Sequence, residues 1–285
     1  MTQDELPIWV DGELRAPDKA RIDVRDPGFA SGLSAIEAIR CERGCPIFLS
    51  DHLRRFEQSA LALGIAWPPA WDIVQTLRSF ARLLPEDAHI LRAQLTRGFE
   101  GKASLVLTAR AIDTSDTASV RLVLSEERLE WGRAQRAKHS SRLPLVLARE
   151  DAQRRGAFDA LLRDADGKIV ESTIANLFLV IEGGLMTPDS GLPGTVRGLI
   201  LELAAEHGIE TVVGGVGLRE LQMADELFLT NVAMGLRPIH GVDGVLNLPV
   251  DAGPLTLHLQ KVFRARQELE IQPTGFRLDI GTTDR

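Results

Sequence analysis

The chain of 285 residues has no tyrosine, two cysteines and six histidines. Without tyrosine, no phenol can serve as acid, base or ring anchor. Cys41 and Cys45, separated by Glu42, Arg43 and Gly44, are too few for a disulfide framework. A local bridge between them is conceivable, but reduced structural thiols suit an intracellular chain better. His52, His89, His139, His207, His240 and His258 show no HExxH pattern and no Cys/His pairing, so no metal centre is expected. No apolar run is long enough to span a membrane. The start, MTQDELPIWVDGEL, is acidic and lacks the basic and apolar parts of a signal peptide, which makes the cytoplasm the expected compartment. A net charge of −7 and a pI near 5.5 argue against a nucleic-acid surface, although a local basic pocket for a small anion stays open. The rest is ordinary: 44% hydrophobic and 26% charged residues, enough length for one large domain or two of common size.

Lysine is the last scarcity. Of 33 basic residues only Lys19, Lys102, Lys138, Lys168 and Lys261 are lysines. In a chain that prefers arginine, a lysine marks a place where an amine that can lose its proton has a use. Lys138 stands in RAKHSSRLPLVLAREDA, directly before His139. Its ordinary role would be that of a solvated loop lysine. Its chemical role would be to bind an aldehyde cofactor through an imine, which also requires a phosphate cradle and a carboxylate for the cofactor ring.

The pattern along the chain supplies candidates for both. Ile8–Val10 and Glu13-Leu14 read as strands about the Asp11-Gly12 turn. Ala35–Ile39 is an apolar run holding Glu37, and Ile47–Leu49 resumes strand character after Gly44. Leu53, Phe56, Ala60 and Leu61 predict a helix that stops at Gly64. Pro68-Pro69 breaks the chain. Trp71, Val74, Leu77, Phe80 and Ala81 predict a second helix. Ile90–Thr96, Leu105–Thr108 and Val120–Leu124 read as strands. These make an α+β unit over residues 1–124, and the polar stretch 125–137 reads as a crossing to a second unit, 138–285. There, Pro144 opens a helix with Leu143, Val146, Leu147 and Ala152 on its buried face, ended by Gly156. Hairpins follow about Asp166-Gly167 and Gly183-Gly184. Gly194 precedes a helix with Val196, Leu199, Ile200, Leu203 and Ala204 at helical spacing and Gly208 as its stop. Glu226–Thr230 is a strand and Leu257–Leu269 a last helix.

Gly194-Thr195-Val196, at a helix start, has free N–H groups suited to a phosphate. A plain turn into a helix would look the same. Arg55 could be a second phosphate ligand or a solvated helix arginine. Glu171 ends an apolar strand, where a buried carboxylate needs a partner such as a protonated ring nitrogen; an exposed strand end would also explain it.

The ordered set WVDGEL, DPGFASGLSAIEAIR, DHLRRFEQSALALGI, LTRG, KHSSRLPLVLAREDAQRRGAFDALLRDADGKIVESTIANLFLV, LPGTVRG and ADELFLTNVAMGLRPIHGVDG resembles the fold-type IV enzymes that use pyridoxal 5′-phosphate (PLP). These are the branched-chain and D-amino-acid aminotransferases and 4-amino-4-deoxychorismate lyase. The resemblance covers nearly the whole chain. It implies an α+β N-terminal domain followed by an α/β pseudo-barrel with PLP between them, and a homodimer whose partner chain helps close each site. By the same resemblance Lys138 is the Schiff-base lysine, Glu171 faces the pyridine nitrogen, and Arg55 binds the phosphate. Thr195 and Val196 hold the phosphate through backbone amides. Val232 falls where aminotransferases often place a phosphate-binding threonine, so only its N–H could serve. Arg97, Arg142 and Asn231 are candidate substrate contacts, with Arg40 and Arg92 as further candidates for a carboxylate.

The pattern Lys138-His139 through Arg142-Leu143, and Thr230-Asn231 followed by Gly235, resemble the lyases more than the aminotransferases. Ala38 points the other way. The family commonly has threonine after this glutamate, and the lyases are thought to use a hydroxyl there. The usual aromatic residue two before Gly32 is also missing, since the chain reads Ala30-Ser31-Gly32. Both activities therefore stay open: a lyase that makes 4-aminobenzoate and pyruvate, or an aminotransferase for branched-chain or D-amino acids.

Overall fold

The computed structural model describes residues 6–68, 72–129 and 137–271. The chain opens with a hairpin, β1 (Ile8–Val10) and β2 (Glu13–Arg15), turned by Asp11 and Gly12. A single helical turn, α1 (Pro27–Ala30), leads into β3 (Ser34–Glu42) and a short partner, β4 (Cys45–Pro46). Ile47–Leu49 does not continue as a strand. Phe48 takes a left-handed conformation, φ 54°, and turns the chain into α2 (Leu49–Ala62). The helix α3 (Ile73–Ala81) is capped by the Asp72 carboxylate, which accepts from the Gln75 N–H; Pro69 of the expected break and Trp71, expected on the helix itself, lie outside the described residues. Strands β5 (His89–Thr96) and β6 (Ser104–Ala111) complete an antiparallel six-stranded sheet of order β2-β1-β6-β5-β3-β4. Phe56, Leu77 and Phe80 from α2 and α3 pack on its inner face against Leu91, Leu95 and Leu107. Cys41 and Cys45 form no disulfide.

β7 (Val120–Arg128) departs from the expectation that Val120–Leu124 closes the first unit. It pairs in parallel with two strands of the second sheet. The reason lies in its burial: Leu122 packs into one core and Val123 into another, so the strand needs cover on both faces. Ser125–Arg128 continue this strand, and residues 130–136 of the expected crossing lie outside the described residues. The two sheets are joined instead through 112–119.

The second sheet is built on α4 (Leu143–Arg154), the hairpin β8 (Asp159–Arg163) with β9 (Ile169–Ser172), and β10 (Asn176–Ile181) with β11 (Gly184–Pro188). α5 (Thr195–Glu206), β12 (Thr211–Gly214), α6 (Leu218–Gln222), β13 (Glu226–Asn231), β14 (Gly235–Val242), β15 (Leu246–Asn247) and α7 (Pro254–Glu270) follow. The strand order is β12-β11-β10-β13-β14-β7-β8-β9, with β15 on β14. β14 escapes a reading of the sequence because Gly235, Pro238 and Gly241 look like breakers. Along β10, Leu177 and Leu179 face the inner core, while Phe178 and Val180 face α5 and α7. No helix among the described residues is long and apolar enough to cross a membrane.

α4 starts and stops where expected but buries a different face. Ala148 and Ala152 lie against β7 and β8, whereas Leu143, Val146 and Leu147 are 66%, 48% and 48% exposed. Small alanines let the helix approach the sheet closely and leave the larger side chains outside.

The stacked rings of Phe178 and Phe228, with centroids 5.1 Å apart, sit between the sheet and α5 and α7. Phe228→Ala is expected to lower unfolding free energy by about 3–5 kcal/mol in a denaturant titration. A loss under about 1 kcal/mol would mean that this layer collapses to fill the space.

Candidate active site

Residues 138–140 lie along the start of β3, the strand that carries Glu37. The Ile36 N–H donates to the Lys138 carbonyl at 2.8 Å, and the Ser140 N–H donates to the Ser34 carbonyl at 3.1 Å. From α2, the Ser59 hydroxyl oxygen accepts the Lys138 N–H at 3.0 Å. The Ser140 hydroxyl also reaches the Gly32 carbonyl, so the loop before β3 is held to the same segment. These bonds fix the Lys138 backbone at the junction of the two sheets. Burial lowers the amine's pKa from 10.5 to about 8, and the Arg55 charge adds to the effect. Near neutral pH such an amine keeps a useful fraction unprotonated.

Glu37 is the centre of a buried polar cluster that sequence reasoning did not assign to the site. Its carboxylate accepts from Arg55 Nε at 2.9 Å and from Arg55 Nη2 at 2.5 Å. It also contacts His52 Nδ1 at 3.0 Å and accepts the Ala38 N–H at 2.9 Å. Burial alone would raise this carboxyl's pKa, but Arg55 and His52 outweigh it and hold the group well below the usual carboxylate range. Burial keeps His52 below its ordinary value. A glutamate inside an apolar strand was the available signal, because a buried carboxylate requires a cation. Arg55 therefore keeps one edge on Glu37, and its Nη1 donates to the Pro193 carbonyl at 3.2 Å, just before α5.

Glu171, on β9, accepts from the Leu192 N–H at 3.2 Å and from Asn176 Nδ2 at 3.1 Å. Burial raises its pKa, against the Leu192 N–H and the nearby Arg142, Lys138 and Arg55 charges. Asn176 was not anticipated. It stands in the apolar run NLFLV and ties Glu171 to the Leu192 carbonyl. Gly194 is required beside it, since a Cβ there would lie 1.9 Å from Asn176 Oδ1. Thr195 and Val196 open α5 as expected, and the Thr195 hydroxyl oxygen is buried with no hydrogen-bond partner among the described residues.

Lys138, Arg55, Glu171, Thr195, Val196, Asn231, Val232 and Arg142 all border one cavity of about 1410 Å³. Asn231 uses its side chain to shape its own loop: Oδ1 accepts from the Ala233 and Met234 N–H groups, and Nδ2 donates to the Ile174 carbonyl. Arg142 Nη2 donates to the Thr173 carbonyl at 2.7 Å. Arg40 and Arg92 also line the cavity, but Arg40 is paired with Glu42. Arg97 does not line it. On β5, Thr96 turns inward onto Asp26, so the next residue points outward, and Arg97 is exposed with its guanidinium at the Gly64 carbonyl.

A depressed amine, a buried carboxylate with only neutral hydrogen-bond donors, and a helix start with an arginine and an orphaned hydroxyl fit an aldehyde cofactor that carries a ring nitrogen and a phosphate. The residues present fit PLP on each of these counts. The model of the family described as amino-transferase class IV matches residues 34–242. This chain belongs to that family of PLP-dependent enzymes. The branched-chain-amino-acid aminotransferase of Pseudomonas aeruginosa is 28% identical over 279 residues, 90% of this chain and 91% of that one. The crystal structure of 4-amino-4-deoxychorismate lyase from Pseudomonas aeruginosa matches with a TM-score of 0.80 at 30% identity, covering 90% of this chain and 98% of that one. A branched-chain amino acid aminotransferase complexed with N-(5′-phosphopyridoxyl)-L-glutamate matches with a TM-score of 0.84 at 25% identity, over 92% and 94% of the two chains.

Borohydride trapping of PLP on Lys138 tests the state of the amine. The initial rate of capture is expected to rise with pH through a midpoint near 8, because burial disfavours the charged form. A midpoint near the ordinary 10.5 would show that the amine is solvated.

Proposed function

We propose that the chain is a PLP-dependent lyase that converts 4-amino-4-deoxychorismate to 4-aminobenzoate and pyruvate. The observation that carries this reading is a pair of guanidiniums in the cavity. Arg92 and Arg142 both line it, and neither makes an ion pair with a carboxylate among the described residues. Burial lowers the Arg142 pKa, and the nearby Arg92 charge adds to this against the opposing charges of Glu171 and Asp159. A substrate with two carboxylates, as aminodeoxychorismate has, would neutralise such a pair. A branched-chain amino acid, with one carboxylate and an aliphatic side chain, would neutralise only one of the two. The likeness to the Pseudomonas aeruginosa lyase structure supports the same reading.

PLP supplies an electron sink that stabilises negative charge on the carbon beside the substrate nitrogen. The rest falls to the protein. Lys138 would carry the cofactor and, once displaced by the substrate amine, take the ring proton at its Nζ. The ring–oxygen bond to the enolpyruvyl group would then break as the ring aromatises, and the enolpyruvate released would take up a proton to become pyruvate, so no second substrate is needed. Glu171 would keep the ring nitrogen protonated. Arg55 and the N–H groups of Thr195 and Val196 would hold the phosphate, with the Val232 N–H as a further donor. Asn231 would shape the substrate side of the loop.

The second reading is a class IV aminotransferase for branched-chain or D-amino acids with a 2-keto acid acceptor. It draws on Ala38, which lines the cavity and offers no hydroxyl after Glu37, and on the aminotransferase relative. We further propose a cytoplasmic homodimer, which would cover the exposed Leu143, Val146 and Leu147. Sedimentation should give twice the 31.2 kDa chain mass, and a monomer at micromolar concentration would refute the dimer.

The deciding measurement is release of pyruvate and 4-aminobenzoate from aminodeoxychorismate by PLP-loaded protein, with Lys138→Ala as control. Equal amounts of both products that vanish in the variant are expected. No release from loaded protein would overturn the lyase, and turnover of an amino acid with a keto acid would then establish the second reading.

A further inference from the structure

We propose that the Thr230 hydroxyl is a ligand of the cofactor's phosphate. This rests on the reading that Arg55 and the start of α5 form the phosphate seat. Thr230 lies on β13 and is 1% exposed. Its hydroxyl oxygen is buried and has no hydrogen-bond partner among the described residues, yet the residue lines the cavity. A buried hydroxyl without a partner is costly, and valine would fill the same space in a β-strand at no such cost. The hydroxyl therefore contributes nothing to the sheet and has its use in the cavity.

The register shows which part of the cavity it serves. Thr230 stands directly opposite Asn176 on β10 and Leu236 on β14, so these side chains share one face of the sheet. Asn176 reaches the Leu192 carbonyl, and its Oδ1 lies where a Cβ on Gly194 would be. That face accordingly meets the turn that opens α5. Phe228, two residues before Thr230 on the same strand, points the same way, and Phe228 and Val232 pack in the same core as Val196, the second residue of that helix. Val232 has no hydroxyl to offer. Thr195, the first residue of the helix, carries the other orphaned hydroxyl that lines the cavity. Two unpartnered donors thus flank a helix N-terminus and an arginine, which is the donor set a phosphate dianion needs.

The test is Thr230→Val, read by binding as well as by stability. In the bare protein the variant should unfold at the same or a higher denaturant concentration, because a polar atom without a partner is removed. Its affinity for PLP, measured by titration of the lysine-bound chromophore, should fall about tenfold. Its affinity for pyridoxal, which lacks the phosphate, should not change. Thr230→Ser should keep wild-type PLP affinity. Unchanged PLP affinity in Thr230→Val would overturn the proposal, as would an equal loss for PLP and pyridoxal, which would put the hydroxyl against the ring. A less stable bare protein with PLP affinity unchanged would assign the hydroxyl to the fold instead. Arg55→Gln separates this inference from the reading beneath it. Because Arg55 also neutralises Glu37, the variant is read by PLP against pyridoxal: if Arg55→Gln weakens both equally or neither, the phosphate seat is wrong; if it weakens PLP more than pyridoxal while Thr230→Val does not, only Thr230 is misassigned.

Discussion

Glu37 has a carboxylate with no solvent exposure in the middle of an apolar strand, and its neutralisation organises the site. A buried charge left alone is prohibitive, so Arg55 must come from α2 to meet it with two hydrogen bonds. That pairing joins the sheet to the helix that packs on it. The same guanidinium reaches the Pro193 carbonyl, which ties the first unit to the start of α5 in the second. Its charge is also one reason, after burial, that the Lys138 amine is depressed. One ion pair therefore touches the sheet, the helix start and the amine together.

The polar groups that border the cavity are of two kinds. Some have been given a protein partner: Glu37 with Arg55 and His52, Glu171 with Asn176 and Leu192, Arg40 with Glu42. Among them stand others without one: Arg92 and Arg142 make no ion pair with a carboxylate, and the Thr195 and Thr230 hydroxyls keep no partner at all among the described residues. Saturated groups hold shape, while unsaturated ones are available to a ligand. The division fits a rigid frame about a site whose remaining charge is supplied from outside. It is also consistent with the range of the family, whose relatives include both aminotransferases and a lyase.

Much of this is open to a reading of the residues in order. Lys138, Glu171, Arg55 and the Gly194-Thr195-Val196 turn have the right chemistry but also ordinary readings, and the ordered family resemblance is what selects them; the structure brings all of them to one cavity. Glu37, His52 and Asn176 do not stand out in the sequence as site residues, because each owes its place to a partner on another element that only folding brings within hydrogen-bond reach. Arg97 misleads for a simpler reason. Strand alternation decides which side a residue faces, and a one-residue difference moves it from the cavity to the outside. The charged stretch at 125–137 looks like a crossing, but charge says little about pairing, and β7 is claimed by neighbours on both sides.

Local order is thus written in the chain itself. Turn residues, capping groups and apolar spacing determine where the helices and hairpins begin and end, because those signals act over a few residues. Side-chain chemistry likewise determines which residues are capable of holding an aldehyde, a phosphate or a ring nitrogen. Only the tertiary structure decided which strands share a sheet, that α4 shows its larger side chains to solvent, and which charged groups are paired and which are left for a ligand. Those outcomes depend on contacts between distant segments, and no short stretch of sequence contains both halves of such a contact.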